Sequence, residues 1–346
     1  MQNNKTVVTI YDIAKKLNVS AATVSRSLND FSGVNKLTKK RVVDAAQEMG
    51  YSFNAFASNL RTKRSNTIGV IVPKLNSNFM SDAIAGIEKA ANDANFNLII
   101  SQSLETMKKE ISNAQTMFNN RVDGLLVSLA YDTDNIDHFE NFIKREIPVI
   151  FFDRIYEHKN CPNIHLNNDK AAYEITDHLA KQGCKRIVHI TARGVHNVYE
   201  ERFNGYRRAL QDNHLPYSDD LLIINDLGAQ AGTEAAQHIL QMPIKPDGIF
   251  SANDVCAINC IMELKNCGIK VPEDIAVAGF NNDPSCCIIE PNLTTIDYRG
   301  YDMGEVSANL LINHLINNHD IQQTHSLVLR HELIIRESSL KSGKKD

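Results

Sequence analysis

Residues 20–28 contain the first set of side chains whose types and spacing could do chemistry. Val24 and Leu28 are four residues apart, which predicts a helix that turns both toward a core. The exposed side of this helix then carries Ala21, Ala22, Ser25 and Arg26. The guanidinium of Arg26 suits paired hydrogen bonds to O6 and N7 of guanine, whereas alanine methyl groups can only contact thymine or tolerate a base. The segment therefore predicts recognition of base edges.

A second set of polar residues, with one aromatic ring among them, falls where strands of a parallel sheet would end. Its members are Phe79, Asp153, Arg154, Asn253 and Asn281, joined by Arg202 early in a predicted helix of the second lobe. Hydroxyl-rich ligands need such a mixture of hydrogen-bonding groups and a stacking surface. Two alternatives stay open: Asp153 and Arg154 could form a structural ion pair, and Phe79 could be an ordinary core residue.

Sequence motifs of the common enzyme classes are missing from the chain. It has no G-x-G-x-x-G, G-x-x-x-x-G-K-[ST], H-E-x-x-H or G-x-S-x-G, so dinucleotide, P-loop, zincin and hydrolase chemistry lack their signatures. The seven cysteines are odd in number and include no C-x-x-C pair, which favours reduced thiols over disulfides or zinc. We expect no catalytic residues, no metal and no cofactor.

Three short helices would position Arg26. The apolar residues Ile10, Ile13, Ala14 and Leu17 recur at helical spacing. After a break at residues 18–19, Ser20 can cap the second helix, and Asn35 can cap a third that ends at Gly50. Val42, Ala46 and Met49 of this third helix would close a small core. The pattern is a helix-turn-helix, whose second helix enters the major groove of DNA.

Charge is distributed unevenly along the chain. Residues 1–66 contain eleven Lys and Arg against four Asp and Glu, whereas the remaining residues contain 26 basic and 37 acidic side chains. A compact basic head on an acidic body is typical of a domain that binds a polyanion.

The body alternates apolar strands with helices. Predicted strands are 67–73, 97–103, 124–129, 148–153, 163–168, 186–191, 221–226, 248–254, 275–281 and a terminal strand 325–337. Near-continuous apolar strands between helices indicate parallel sheets covered on both faces. Their two successive sets predict two α/β lobes with a ligand cleft at the carboxyl ends of the strands.

The head closely resembles the LacI/GalR repressor family over T-I-Y-D-I-A-K-K-L-N-V-S-A-A-T-V-S-R-S-L-N (9–29), G-V-N-K-L-T-K-K-R-V (33–42) and G-Y (50–51). The resemblance implies that Ala21, Ala22 and Arg26 read bases and that Thr23, Ser25 and Asn29 mostly contact phosphates. It also places Thr9, Tyr11 and Ser20 among the DNA-contacting residues.

The segment 52–66 resembles the hinge helix of that family through A-F-A-S-N-L-R. Alone, one or two helical turns would be unstable in water, so we expect this helix to form only when docked or paired. The resemblance implies DNA contacts from Asn54, Ala57 and Leu60, with Leu60 wedged between base steps in the minor groove. The alternative is that Leu60 merely packs in a linker.

Residues 67 to about 338 resemble periplasmic sugar-binding proteins and the effector domain of the same family. The resemblance implies that Phe79 stacks on a ligand ring and that Asp153, Arg154, Arg202 and Asn281 bind hydroxyl groups, with Asn253 at the rim and Tyr298 beside the cleft. Family members often carry Asp in place of Asn281 and Gln in place of Tyr298. These departures favour a neutral sugar or sugar-like effector.

The chain is thus predicted to be a multidomain protein with an all-α helix-turn-helix head and a two-lobed, periplasmic-binding-protein-like α/β body of parallel sheets. Expected boundaries are 1–53 for the head, 54–66 for the hinge and 67–340 for the body. Within the body, the N-lobe would comprise about 67–164 and 296–324, and the C-lobe about 165–295 and 325–340.

These features predict a LacI-type repressor that binds a pseudo-palindromic operator in double-stranded DNA as a homodimer, under the control of a sugar-like small molecule. Helices near 81–94 and 254–268 would supply the dimer contacts, and the tail lacks the heptad repeat of a tetramerising coiled coil. Neither a secretory signal nor an apolar run of about 18 residues occurs, so we expect a cytoplasmic, nucleoid-associated protein without membrane contact. Release by an inducer and activation by a corepressor stay equally open. An enzyme, a transport receptor and a constitutive architectural DNA binder are the disfavoured alternatives.

Overall fold

The computed structural model describes residues 8–28, 33–51, 64–193, 197–317, 321 and 324–341. Its internal contacts divide the chain into two compact units, Met1–Ser65 and Asn66–Asp346. In the described part of the chain, no helix is both long and apolar enough to span a membrane.

The first unit contains the three predicted helices: α1 (Ile10–Leu17), α2 (Ala21–Leu28) and α3 (Lys36–Glu48). The backbone N–H of Thr23 donates to Ser20 Oγ over 3.0 Å, and that of Leu37 donates to Asn35 Oδ1 over 2.9 Å, so both predicted caps are formed. Gly50 adopts a left-handed φ of 66° after the third helix, as a terminating glycine does. The core consists of Ile13, Ala14, Val24, Val42, Ala45 and Ala46.

The second unit alternates strands and helices. Its strands are β1 (Thr67–Val72), β2 (Asn97–Gln102), β3 (Gly124–Val127), β4 (Val149–Phe152), β5 (Asn163–Leu166), β6 (Ile187–Thr191), β7 (Leu222–Ile224), β8 (Gly248–Ser251), β9 (Ala276–Ala278), β10 (Thr295–Asp297), β11 (Ser326–Leu329) and β12 (Glu332–Ile334). Its α-helices are α4 (Asn78–Asp93), α5 (Met107–Asn119), α6 (Glu140–Lys144), α7 (Asn168–Lys181), α8 (Asn197–Asp212), α9 (Ala229–Gln241), α10 (Asp254–Asn266) and α11 (Gly300–Asn317).

Two parallel sheets define two lobes, as the apolar strands predicted. The N-lobe sheet has the strand order β11-β5-β4-β3-β1-β2, and the C-lobe sheet has the order β7-β6-β8-β9. Side chains of β1 show why both sheet faces must be covered. Ile68 and Val70 belong to the buried cluster under α4 and α11, whereas Ile71 belongs to the cluster under α5 and α6, because successive strand residues point to opposite faces.

The predicted terminal strand 325–337 is wrong as a single element. It is divided into β11, which pairs with β5 in the N-lobe sheet, and β12, which pairs antiparallel with β10 in a separate two-stranded sheet. The expectation that 325–340 belongs to the C-lobe is therefore wrong for β11. Hydrophobic periodicity identifies a strand but carries no information about which sheet accepts it.

Candidate functional site

The α2 helix presents the residues that the sequence predicted for base recognition. Ala22 and Arg26 are exposed, Ala21 and Ser25 are half-buried, and Val24 between them is fully buried. Tyr11 on α1 is 71% exposed, which is high for an aromatic ring of this size. The small helical core therefore turns one polar side of α2 toward solvent.

Thr9, Ser20 and Thr23, which are predicted DNA contacts, also form hydrogen bonds at the starts of helices. Thr9 donates from its backbone N–H and its hydroxyl to the Asp12 carboxylate at the start of α1. Ser20 Oγ bonds to the hydroxyl of Thr23 over 2.8 Å as well as to its backbone N–H. The remaining predicted contacts, Asn29, Asn54, Ala57 and Leu60, lie outside the described residues.

A buried group in the body brings together Phe79, Asp153 and Tyr298. The rings of Phe79 and Tyr298 are stacked, with centroids 4.3 Å apart and planes 2° from parallel. The Tyr298 hydroxyl donates to Asp153 Oδ1 over 2.5 Å. Phe79 stands at the start of α4 and Asp153 directly after β4, so the beginning of that helix and the end of that strand meet at the carboxyl edge of the N-lobe sheet.

Asp153 is only 5% exposed and has a left-handed φ of 61°, a conformation that Asp adopts more readily than most residues. Burial raises the pKa of its carboxyl group, while Arg154, Tyr298, Arg202 and Ser128 oppose that increase. Ser128 Oγ donates to Asp153 Oδ2 over 3.2 Å. Burial also raises the pKa of Tyr298 well above its usual range, which keeps the shared proton on the phenol.

Arg202 reaches the same group from the C-lobe helix α8. Its Nε donates to Asn168 Oδ1 over 3.0 Å and its Nη1 to the Ala252 carbonyl oxygen over 2.6 Å. The guanidinium carbon lies 3.5 Å from the ring centroid of Phe280, a cation–π distance. Burial lowers the pKa of Arg202.

Arg154 follows Asp153 in the chain, but its closest acidic partner is Glu105. Its Nη1 donates to Glu105 Oε2 over 2.6 Å, and its Nη2 donates to Tyr199 Oη over 3.3 Å. Arg154 is buried to 9% exposure. These contacts give Arg154 a structural ion pair, although with Glu105 rather than with the adjacent aspartate.

The two predicted asparagines differ in their surroundings. Asn253 caps α10, because its Oδ1 accepts from the Cys256 N–H over 2.8 Å while its Nδ2 donates to the Leu227 carbonyl oxygen over 3.0 Å. Asn281 is half-buried with a φ of 119°, and its backbone N–H donates to the Ile296 carbonyl oxygen over 3.1 Å. A role for either in effector binding stays a prediction.

Sequence reasoning missed four partners of the predicted residues: Ser128, Glu105, Tyr199 and Phe280. Phe280 immediately precedes Asn281, so the predicted strand end at 281 could have drawn attention to it. Ser128 lies in the predicted strand 124–129, next to its end. Nothing in the sequence around Glu105 or Tyr199 indicates that they contact Arg154.

Two protein-family models match the chain, one within each unit. Residues 9–54 match the family described as "Bacterial regulatory proteins, lacI family", and residues 176–339 match "Periplasmic binding protein-like domain". A curated relative, the HTH-type transcriptional regulator RegA of Clostridium saccharobutylicum, is 32% identical over 332 residues, which cover 96% of this chain and 99% of the relative.

Two further comparisons extend over nearly the whole chain. The HTH-type transcriptional repressor CytR of Escherichia coli K12 is 30% identical over 341 residues, with 98% of each chain covered. The crystal structure of the lac repressor dimer bound to operator and the anti-inducer ONPF has a TM-score of 0.85 at 24% identity, covering 97% of this chain and all of that one. This structural likeness establishes the fold.

Proposed function

The chain belongs to the LacI family of bacterial transcriptional regulators, which are not enzymes, and from this premise we propose that it is a repressor with a sugar-like effector. In this proposal the protein binds a pseudo-palindromic operator as a homodimer. A small hydroxylated molecule binds between the two lobes of the body and changes the affinity for DNA. The protein acts in the cytoplasm, on the DNA of the nucleoid.

The main support for DNA recognition comes from the exposed side of α2. Arg26 and Ala22 are exposed on the helix that follows the turn, while Val24 anchors that helix in the core. The N-terminal part of such a helix contacts base edges in the major groove. Arg26 supplies guanine recognition, the alanines accept thymine or tolerate a base, and Thr23 and Ser25 contact phosphates.

We assign the switch to the segment 54–60. The segment lies outside the described residues; in this proposal it forms a helix only with its twin and DNA, because so short a helix is marginal alone. Leu60 wedges into the minor groove, and basic residues that follow it neutralise phosphates. Effector binding changes how well two such helices can meet.

Binding of a sugar-like effector is supported by the buried group around Asp153. A carboxylate, a guanidinium and an aromatic ring, all less than 10% exposed, meet between the carboxyl ends of the strands. Such groups bind hydroxyls and the faces of sugar rings. In this proposal Phe79 provides the stacking face, and Asp153, Arg202 and Asn281 bind hydroxyls.

A homodimer is supported by apolar side chains exposed on the C-lobe. Met262 on α10 is 53% exposed, Val255 on the same helix is 38% exposed, and the nearby Ile288 is 79% exposed. Apolar residues grouped on one surface favour burial against a partner. A two-fold dimer presents two α2 helices to two half-sites, which requires a pseudo-palindromic operator.

Selection from random DNA duplexes tests the proposal. Purified full-length protein should enrich a pseudo-palindrome, and its affinity for the selected duplex should change when D-ribose, D-glucose or cellobiose is added. A gain in affinity would identify a corepressor and a loss would identify an inducer. The Asp153→Ala variant should keep the DNA affinity and lose the sugar response. If no sequence is enriched, sequence-specific DNA binding is contradicted. If none of the sugars alters the affinity for DNA, the sugar-like effector is contradicted.

A further inference from the structure

Tyr298 is placed as a ring ligand would be placed in the cleft. Its ring lies face to face on Phe79 at 4.3 Å, and its hydroxyl donates to the buried carboxylate of Asp153. A sugar or other hydroxylated ring would use the same two features of the N-lobe, a flat aromatic face and a hydrogen-bond acceptor. Both are occupied by a side chain of the protein itself.

The same phenol also contacts the C-lobe. Its ring meets Phe280 edge to face, with centroids 5.9 Å apart and planes at 76°, and the Arg202 guanidinium carbon lies 5.7 Å from its centroid. Phe79, Tyr298 and Phe280 belong to one continuous buried cluster that includes side chains from both sheets. Tyr298 therefore connects the two lobes across the cleft.

The backbone holds the phenol at this position from both sides. Before Tyr298, β10 pairs with β12, and Asp297 forms an isolated bridge with Asn281. After it, Gly300 passes so close to α4 that a Cβ at this residue would lie 2.6 Å from the Phe79 carbonyl oxygen. The path of the chain thus places the backbone of Tyr298 next to Phe79.

Comparison with a second buried tyrosine shows that this is not ordinary core packing. Tyr206 is 0% exposed and donates to the Ile187 carbonyl oxygen, an acceptor that a core offers in any case. Tyr298 instead donates to a carboxylate whose burial is costly, and the guanidinium carbon of the buried Arg202 lies 5.7 Å from its ring centroid. Buried charges that converge on one ring are typical of a binding site.

We propose that Tyr298 is a built-in substitute for the ligand, which closes the cleft without effector and determines what the cleft accepts. The inference rests on the proposed function in one respect, the position of the effector site. A true effector must displace the phenol, offering Phe79 a ring face and Asp153 a hydroxyl. Its apparent affinity is the intrinsic affinity multiplied by the fraction of molecules in which Tyr298 has left the site.

The central test removes the phenol and supplies it again as p-cresol, which is the tyrosine side chain as a free molecule. In full-length Tyr298→Ala, the lobes should separate, so small-angle X-ray scattering should give a larger radius of gyration than for the unaltered protein. Saturating p-cresol should restore the smaller radius. Toluene, which lacks the hydroxyl that Asp153 accepts, should bind at least tenfold more weakly by calorimetry.

Matched variants make the result specific. Tyr206→Ala creates a cavity of the same kind in the core and should keep the radius of gyration unchanged with or without p-cresol. Tyr298→Gln serves as a second variant if alanine prevents folding, and it should show the same enlarged radius. Equal radii for all variants, or equal binding of toluene and p-cresol by Tyr298→Ala, would overturn the inference.

Measurements of sugar binding distinguish a failure of this inference from a failure of the proposed function. Removal of the phenol should lower the dissociation constant for at least one of D-ribose, D-glucose and cellobiose by at least tenfold. If a sugar binds the unaltered protein and Tyr298→Ala binds it tenfold more weakly, Tyr298 is a ligand contact and the inference fails while the proposed function stands. If p-cresol closes the variant but no sugar binds either protein, the inference stands and the sugar effector is wrong.

Discussion

Two charged residues of this chain depend on opposite environments. Arg26 is exposed, which a side chain needs when it must reach a base edge. Asp153 is buried and relies on the hydroxyls of Ser128 and Tyr298, because an unpaired charge away from water costs several kcal/mol. In each case the surroundings, more than the residue type, determine what the side chain can do.

Replacement of Arg26 by alanine should remove most of the operator preference. The loss expected for a paired arginine–guanine contact is about 1–3 kcal/mol per half-site, with non-specific, salt-sensitive binding largely kept. Competition between the selected duplex and a scrambled duplex measures the ratio of specific to non-specific affinity. Lys15→Ala, at an exposed position on α1, is the control and should weaken both complexes alike. An unchanged ratio for Arg26→Ala would contradict its role.

At the scale of elements, the N-lobe depends on the close approach of α4 and α11. Gly86 on α4 and Gly304 on α11 lie at the crossing, where a Cβ on Gly304 would come within 1.9 Å of the Ala83 carbonyl oxygen. Glycine is required there because the obstacle is backbone, which cannot rotate aside. Since α11 begins two residues after Tyr298, this packing also holds the phenol at the cleft.

Gly304→Ala should therefore destabilise the body. Overpacking of a rigid contact costs about 1–3 kcal/mol or more, which lowers the melting temperature of a domain this size by roughly 2–4 °C per kcal/mol. Gly33→Ala is the control, because among the described residues no atom lies within 4 Å of the added Cβ and φ is not positive there. Differential scanning calorimetry of both variants should show a lower melting temperature only for Gly304→Ala.

At the scale of the whole body, an acidic contact joins the lobes beside the cleft. Asp283 of the C-lobe is 5% exposed and accepts a hydrogen bond from the side chain of Asn78 at the start of α4. Burial and the nearby carboxylates of Asp254 and Asp82 raise the pKa of Asp283 to about 6, against the opposing effect of Asn78. Folding of the body therefore favours the protonated form of the Asp283 carboxyl, compared with the same group in the unfolded chain.

The sign of the pH dependence follows from that increase. The carboxyl group of Asp283 binds its proton more tightly in the folded chain than in the unfolded chain. Its contribution to the free energy of unfolding is therefore fully present below the ordinary pKa of 3.8 and is lost as the pH rises through about 6. Asp283→Asn removes the ionisable group, so it should stabilise the body by about 2–3 kcal/mol at pH 8. The advantage should fall to roughly half a kcal/mol near pH 4.

Thermal unfolding between pH 4 and 8 measures the difference. Glu88→Gln, an exposed change on α4, should follow the unaltered protein at every pH. A constant offset between Asp283→Asn and the unaltered protein would show that the carboxyl does not titrate in this range.

The sequence alone determined what depends on local pattern. Apolar spacing and capping residues predicted the helices of the head, because neighbours within one turn decide helix formation and its ends. Apolar runs predicted the parallel strands of both lobes, and the rule that ligands bind at strand ends directed attention to Phe79 and Asp153.

Only the tertiary structure decided which distant groups meet. Asp153 and Tyr298 are 145 positions apart, and Arg154 and Glu105 are 49 apart. β11 joined the N-lobe rather than the C-lobe. Periodicity records which face of an element is buried, but the partner of a buried polar group is selected by the shape and charge of the assembled core. For that reason the sequence predicted Phe79 and Asp153 as ligand contacts, and only the fold showed that the ring and hydroxyl of Tyr298 contact both of them.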